Sequence, residues 1–192
     1  ANSGLIRWNY VNPQLTWTGA IDTDWQNPGN WATTGPPGPP DNTMDVTIPN
    51  TVNDPVLTTN AFTKDFNIGT GASVNTGSYS IDINGSFANN GGTFTSTGTV
   101  NFIAATGTPT INTGGSCFYN LMINASVPYE SASSICINNN FTLNTGNTLT
   151  ITNAAHTMTV GGNWTSTGAT FTHGNGTVTM NDNSGASTIT TG

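Results

Sequence analysis

The stretch Ile83-Asn-Gly-Ser-Phe-Ala-Asn-Asn-Gly-Gly-Thr-Phe94 returns later in the chain as Val160-Gly-Gly-Asn-Trp-Thr-Ser-Thr-Gly-Ala-Thr-Phe171. Phe87 matches Trp164, Gly91 matches Gly168 and Phe94 matches Phe171, each at an offset of 77 residues. After one inserted residue the match resumes at an offset of 78. It then pairs Val100-Asn-Phe102 with Val178-Thr-Met180 and Thr110-Ile-Asn-Thr-Gly114 with Thr188-Ile-Thr-Thr-Gly192. Repetition on this scale, without helical periodicity, is the mark of a solenoid.

From about Asp45 onward the chain is a series of short alternating segments separated by Gly, Asn, Asp or Pro. Val46-Thr-Ile48, Phe66-Asn-Ile68, Ile81-Asp-Ile83, Val100-Asn-Phe102, Leu121-Met-Ile123, Ile135-Cys-Ile137 and Phe141-Thr-Leu143 are examples. Each places two apolar residues on one face with another residue between them, as a half-buried strand does. A helical stripe is absent from every window of 11 or more residues. A sandwich would use longer strands and has no reason to repeat itself at this distance. The sequence therefore predicts an all-β parallel β-helix (β-solenoid) with roughly 20 residues per coil. The usual preference of parallel crossovers is right-handed. Asn and Thr at equivalent coil positions are expected to stack into hydrogen-bonded ladders.

Residues 1–60 differ from the rest, holding Trp8, Trp17, Trp25 and Trp31 together with most of the prolines and acidic residues. The sequence divides into an N-terminal extension or docking strand (1–14), a Trp- and Pro-rich N-terminal cap (15–60) and a solenoid body (61–192) in which 83–114 matches 160–192. Trp17, Trp25 and Trp31 are expected to close the first coil, because a solenoid end otherwise exposes strand edges and core. The alternative is a sugar-stacking platform built from the four tryptophans Trp8, Trp17, Trp25 and Trp31.

Only 6% of the 192 residues are charged, against roughly 25% in ordinary soluble proteins. Arg7 and Lys64 are the only cationic side chains and the net charge is −7, so a polyanion meets no neutralising surface. Nucleic-acid binding and polybasic membrane contact are both argued against. No apolar run approaches the roughly 20 residues of a membrane-spanning helix. No signal peptide precedes Ala1, so the chain reads as a processed product. Cys117 and Cys136 lie 19 residues apart, about one coil, which fits either a bridge between neighbouring coils or two unpaired thiols. Parity leaves this open, since Cys117 alternates in step with Leu121 whereas Cys136 is flanked by Ile135 and Ile137.

The material for chemistry is sparse. Asp65, Asp82, Glu130 and Asp182 are far apart in sequence, and Asp82 has the parity of an outward residue, so no catalytic carboxylate pair is expected. His156 and His173 lack a nearby thiol or carboxylate and read as turn residues. No cofactor is expected. Asp22, Asp24, Asp41 and Asp45 are the one oxygen-rich set that suits Ca²⁺, but no twelve-residue calcium loop is present and turn-capping explains them better. Five sequons, at Asn84, Asn124, Asn140, Asn163 and Asn175, offer sites for glycans on a surface with few charges.

The segments Phe118-Tyr-Asn-Leu-Met-Ile123, Phe66-Asn-Ile-Gly-Thr-Gly-Ala-Ser-Val74 and Val160-Gly-Gly-Asn-Trp164 resemble repeats of large secreted bacterial surface proteins with parallel β-helix folds. The opening from Trp17-Thr-Gly19 through Asn30-Trp31 to Pro55-Val56 is similar to the segment that introduces such repeats. The resemblance covers about residues 15–192. It implies an extracellular, adhesin-like or fibre-like role and carries over no catalytic residue.

The second repeat copy stops at Gly192, at a point where the first continues into another strand. The last coil is therefore expected to stay open. The N-terminal Leu5-Ile-Arg-Trp-Asn-Tyr-Val11 reads as an extra strand with Ile6, Trp8 and Tyr10 on one face. The expected use is docking of Leu5, Ile6, Trp8 and Tyr10 on the open end of the next subunit near Ile189, giving a head-to-tail homopolymer at the cell surface. Two other readings stand beside it. One is a carbohydrate-binding module of a larger surface protein with surface glycans as partners. The other is a polysaccharide-active β-helix enzyme, for which the chain supplies little.

Overall fold

A lone strand of three residues is too short to hold itself, so segments of this kind persist only where many of them share one core. The computed structural model, which describes residues 13–35, 38–182 and 185–192, winds them into seven stacked coils. Each coil, counted from Asp45, contributes one segment to each of three faces, and an N-terminal winding over residues 14–44 adds one more strand to the first face. Along the first face run Gln14–Trp17, Asp45–Ile48, Phe66–Ile68, Phe87–Asn89, Thr110–Asn112, Tyr129–Ser131, Thr148–Thr150 and Thr170–Thr172. The second face begins with isolated bridges from Asp24 to Val56 and from Val56 to Asn75. It continues through Ser73–Asn75, Thr93–Thr95, Cys117–Phe118, Ile135–Ile137, Thr157–Val160 and Thr177–Met180. Ala61–Thr63, Ile81–Ile83, Thr99–Phe102, Asn120–Ile123, Phe141–Leu143, Trp164–Ser166 and Ile189–Thr191 form the third.

Neighbouring coils pair in parallel. In the body the residues in register are separated by 19 positions where the coil is tightest, as for Ile81 opposite Val100, and by 25 where it is widest, at Trp164 opposite Ile189. The N-terminal winding before these coils is longer, with Gln14 opposite Asp45, because it carries the tryptophan-rich loop. Among the described residues there is no α-helix, only a 3-10 turn at Pro28–Asn30. The protein is a parallel β-solenoid.

The internal repeat proves to be out of step with the coil. Phe87 opens a first-face strand, whereas its counterpart Trp164 opens a third-face strand. Phe94 lies on the second face and its counterpart Phe171 on the first. The 77-residue offset spans eleven strands, so the unit that recurs is one strand with its corner, seven residues on average, rather than one coil.

Inward residues form a single column. Trp17, Trp31, Trp25, Phe66, Phe87 and Phe118 meet edge to face with centroid separations of 4.8–5.8 Å. Phe102 and Tyr129 extend the column, and Phe141, Trp164 and Phe171 carry it to the far end. Some inward positions are polar: Thr63, Asn89, Thr113, Ser131 and Ser166 are buried. They find partners close by, as where Asn89 accepts from the Gly92 N–H at 2.8 Å and donates to Ser116 Oγ at 3.0 Å. At Gly98 the coils approach so closely that a Cβ would lie 2.2 Å from the Tyr79 carbonyl oxygen.

Side chains at the corners tie one coil to the next. At the entry to the third face, Asn120 Oδ1 accepts from the Asn140 N–H at 3.2 Å, Asn140 Oδ1 from the Asn163 N–H at 2.9 Å, and Asn163 Oδ1 from the Thr188 N–H at 2.9 Å. At the entry to the first face, Asp65 Oδ1 accepts from the Ser86 N–H at 2.7 Å and Ser86 Oγ from the Thr110 N–H at 3.1 Å. These ladders follow from the chain's supply of Asn, Ser and Thr.

Candidate functional site

In coils one to six the inward residues are shielded from above by the next coil. Coil seven has no such cover among the described residues. Phe171, Val178, Met180 and Ile189 occupy inward register positions, opposite Leu149, Met158, Val160 and Trp164 respectively. Those four partners are buried, whereas Val178 is 37% and Ile189 61% exposed. Around them opens an apolar depression of about 620 Å³, floored by Trp164 and Phe171 and bordered by Val178, Met180 and Ile189. Thr170–Thr172, Thr177–Met180 and Ile189–Thr191 each pair on one side only among the described residues. The face thus combines uncovered core with unpaired backbone groups of three strand edges, the combination that templates addition of another strand.

Ile189 is the described member of the self-assembly set named from sequence, and it lies in this face. Leu5, Ile6, Trp8 and Tyr10 fall outside the described residues. Sequence reasoning missed Phe171, Val178 and Met180 as members of the site. The signal was present in the repeat, which aligns Phe171 with Phe94 and Met180 with Phe102, both buried in the first copy.

The opposite end is built differently. Trp31 meets Trp17 and Trp25 edge to face at 4.9 and 4.8 Å, and all three rings are buried. Trp31–Thr33 runs antiparallel along the outer edge of Gln14–Trp17, so among the described residues the first-face sheet there ends on a reversed strand. Buried Asn30 holds the preceding loop, accepting from the Ile21 N–H at 2.9 Å and donating to Asp22 Oδ1 at 2.6 Å. Trp17 donates its indole N–H to the Asn53 carbonyl at 2.7 Å.

The aspartates considered for Ca²⁺ are engaged with the chain's own donors. The amides of Asn27 and Asn30 and the Asp24 N–H hold the Asp22 carboxyl below the usual carboxylate range. Asp24 accepts from Thr58 Oγ1 at 2.9 Å, Asp41 from the Thr43 N–H at 2.8 Å, and Asp45 faces Lys64 at 3.4 Å. No group of three or more His, Cys, Asp or Glu is placed to hold a metal among the described residues. Asp65, Asp82 and Glu130 are bonded to Ser86, Asn101 and Thr152 respectively, and Asp182 accepts from the Gly185 and Ser187 N–H groups. These carboxylates converge on no common point.

Cys117 and Cys136 form a disulfide with a Cα–Cα separation of 4.5 Å, directly opposite each other on neighbouring second-face strands. The parity difficulty vanishes because Tyr119 lies between Cys117–Phe118 and Asn120–Ile123, where the alternation restarts. Phe118 points inward and Cys117 outward, as Cys136 does between the buried Ile135 and Ile137. Of the sequons, Asn124, Asn163 and Asn175 are exposed. Asn140 and Asn163 belong to the corner ladder, and Asn84 donates to the Asn42 carbonyl at 3.0 Å. His173 is exposed and stacks on Phe171, while His156 sits at a turn near Asn153.

No protein-family model matches this chain, and neither the curated proteins nor the solved structures compared with it include a match.

Proposed function

We propose that the protein is a structural building block of the cell exterior that associates end to end with copies of itself. The observation that carries this reading is the asymmetry of the two ends. Among the described residues Trp17, Trp25 and Trp31 are buried at one end, while at the other Val178 and Ile189 are exposed at inward positions beside Phe171 and Met180. An interface that joins unlike ends is heterologous and, stacked along the axis of a rod where its rotation does not close into a ring, generates a filament. The disulfide suits an oxidising compartment, and the paucity of charge suits a packed fibre better than a freely diffusing monomer. A glycan-binding reading draws no comparable support, since Trp17, Trp25 and Trp31 are buried and present no free ring face.

Negative-stain microscopy and sedimentation velocity over a concentration series test the proposal. Filaments or a concentration-dependent ladder of oligomers are expected from the unaltered chain. Ile189→Asp, at a position already largely exposed, is expected to leave the fold intact and shift the population to monomer. A wild-type chain that remains monomeric at every concentration overturns the reading.

A further inference from the structure

We infer that the outer surface of the second face, centred on Thr157, Thr159, Thr177 and Thr179, is a binding site for the surface of an ice crystal. The inference is independent of the end-to-end reading, because these side chains stand on the flank of the stack and line no part of the depression at its end.

The first observation is register. Thr157–Val160 and Thr177–Met180 pair in parallel, with Thr157 opposite Thr177 and Thr159 opposite Thr179. Met158 and Val160 are buried, so the threonines that alternate with them face outward. Residues two apart on a strand lie about 6.6 Å from each other, and neighbouring strands about 4.8 Å. The four threonines therefore mark a rectangular grid close to the oxygen repeat on the prism face of hexagonal ice. One column continues into the preceding coil as Cys136, which is tied to Cys117 beyond it. Earlier on the same face Thr93 and Thr95 repeat the spacing, opposite Ser73 and Asn75.

The second observation is that the fold leaves these hydroxyls unused. Corner threonines are engaged: Thr70 donates to the Asn90 carbonyl at 2.7 Å, Thr145 to the Thr167 carbonyl at 3.0 Å and Thr152 to Glu130 at 2.7 Å. Among the described residues the hydroxyls of Thr159, Thr177 and Thr179 bond to no protein group, and that of Thr157 reaches only Ser134 Oγ at 3.4 Å. Their partner is water. A β-branched side chain is stiff at χ1, so each threonine holds that water in a fixed place. A grid that is rigid beforehand loses little freedom on binding a lattice.

The third observation is charge complementarity. Ice is an uncharged lattice, and a charged group at the contact has to give up its hydration. No Asp, Glu, Lys or Arg occurs between Ser131 and Asn181. The first face carries a similar grid, with Thr148 opposite Thr170 and Thr150 opposite Thr172, but Glu130 stands in line with Thr150. That carboxylate decides in favour of the second face.

Partitioning of the purified chain into ice grown slowly on a cold finger tests the inference. The unaltered chain is expected in the ice several-fold above an inert protein of the same size. Thr157→Lys and Thr179→Lys, both at exposed positions, are expected to return the partition to the inert level with an unchanged circular dichroism spectrum. Thr172→Lys, exposed on the first face of the same coil as Thr179, is expected to behave as the unaltered chain does. Equal loss in Thr172→Lys and Thr179→Lys overturns the inference. Exclusion of the unaltered chain from ice overturns it too, and pelleting with crystalline polysaccharide, or sideways pairing of copies that Thr179→Lys abolishes, then names the occupant instead.

Discussion

Tyr129 shows what a single polar atom does inside this core. Its hydroxyl donates to the Gly85 carbonyl at 2.8 Å and accepts from the Ala104 N–H at 3.3 Å, so one side chain joins three separate turns of the winding. Tyr129→Phe leaves both backbone groups without this partner in a dry interior, at a cost of about 1–3 kcal/mol. The expected result is a lower urea midpoint with an unchanged slope. Burial, opposed by the Ala104 N–H and reinforced by the charge of Asp65, pushes the phenol well above its ordinary range. Because the folded state holds the neutral form, this contribution is fully present below the unfolded pKa of about 10 and is lost as pH rises past it. The Phe variant should lack that part of the alkaline decline in stability. Neither role is legible in the sequence: Pro128-Tyr-Glu-Ser131 breaks the apolar-x-apolar rule, since the second inward residue is Ser131. The disulfide is hidden for a related reason, the restart of alternation at Tyr119.

At the level of strands and corners, the alternating pairs are readable because both inward positions are apolar in Phe66–Ile68, Ile81–Ile83 and Phe141–Leu143. Ala61–Thr63, Phe87–Asn89 and Trp164–Ser166 escape the rule because a buried Thr, Asn or Ser takes the second inward place and bonds to its own neighbourhood. Composition predicts the ladders but not their polarity. In the two corner ladders, side-chain oxygens of one coil accept from backbone N–H groups of the following coil, so each corner is fixed from below. Asn140→Ala removes the acceptor for the Asn163 N–H and is expected to cost about 1 kcal/mol, read as a lower thermal midpoint. Asn124→Ala, at an exposed position, should fall within about 0.5 kcal/mol of the parent and serves as the control.

For the molecule as a whole, stability is a sum of coil contributions and contacts between neighbours, so a coil with one neighbour is the weakest. Amide hydrogen exchange of the monomer should therefore be fastest in Thr170–Thr172, Thr177–Met180 and Ile189–Thr191 and slowest in the middle coils. Assembly should slow it selectively in those three strands. The composition of the end face is obscured because each copy's residues land on different sides. That rotation has its own consequence. Gain or loss of a single strand with its corner turns everything beyond it by a third of a revolution without breaking the prism. Overall length is thus free to drift one side at a time, whereas the direction in which the tip points returns only after every third step.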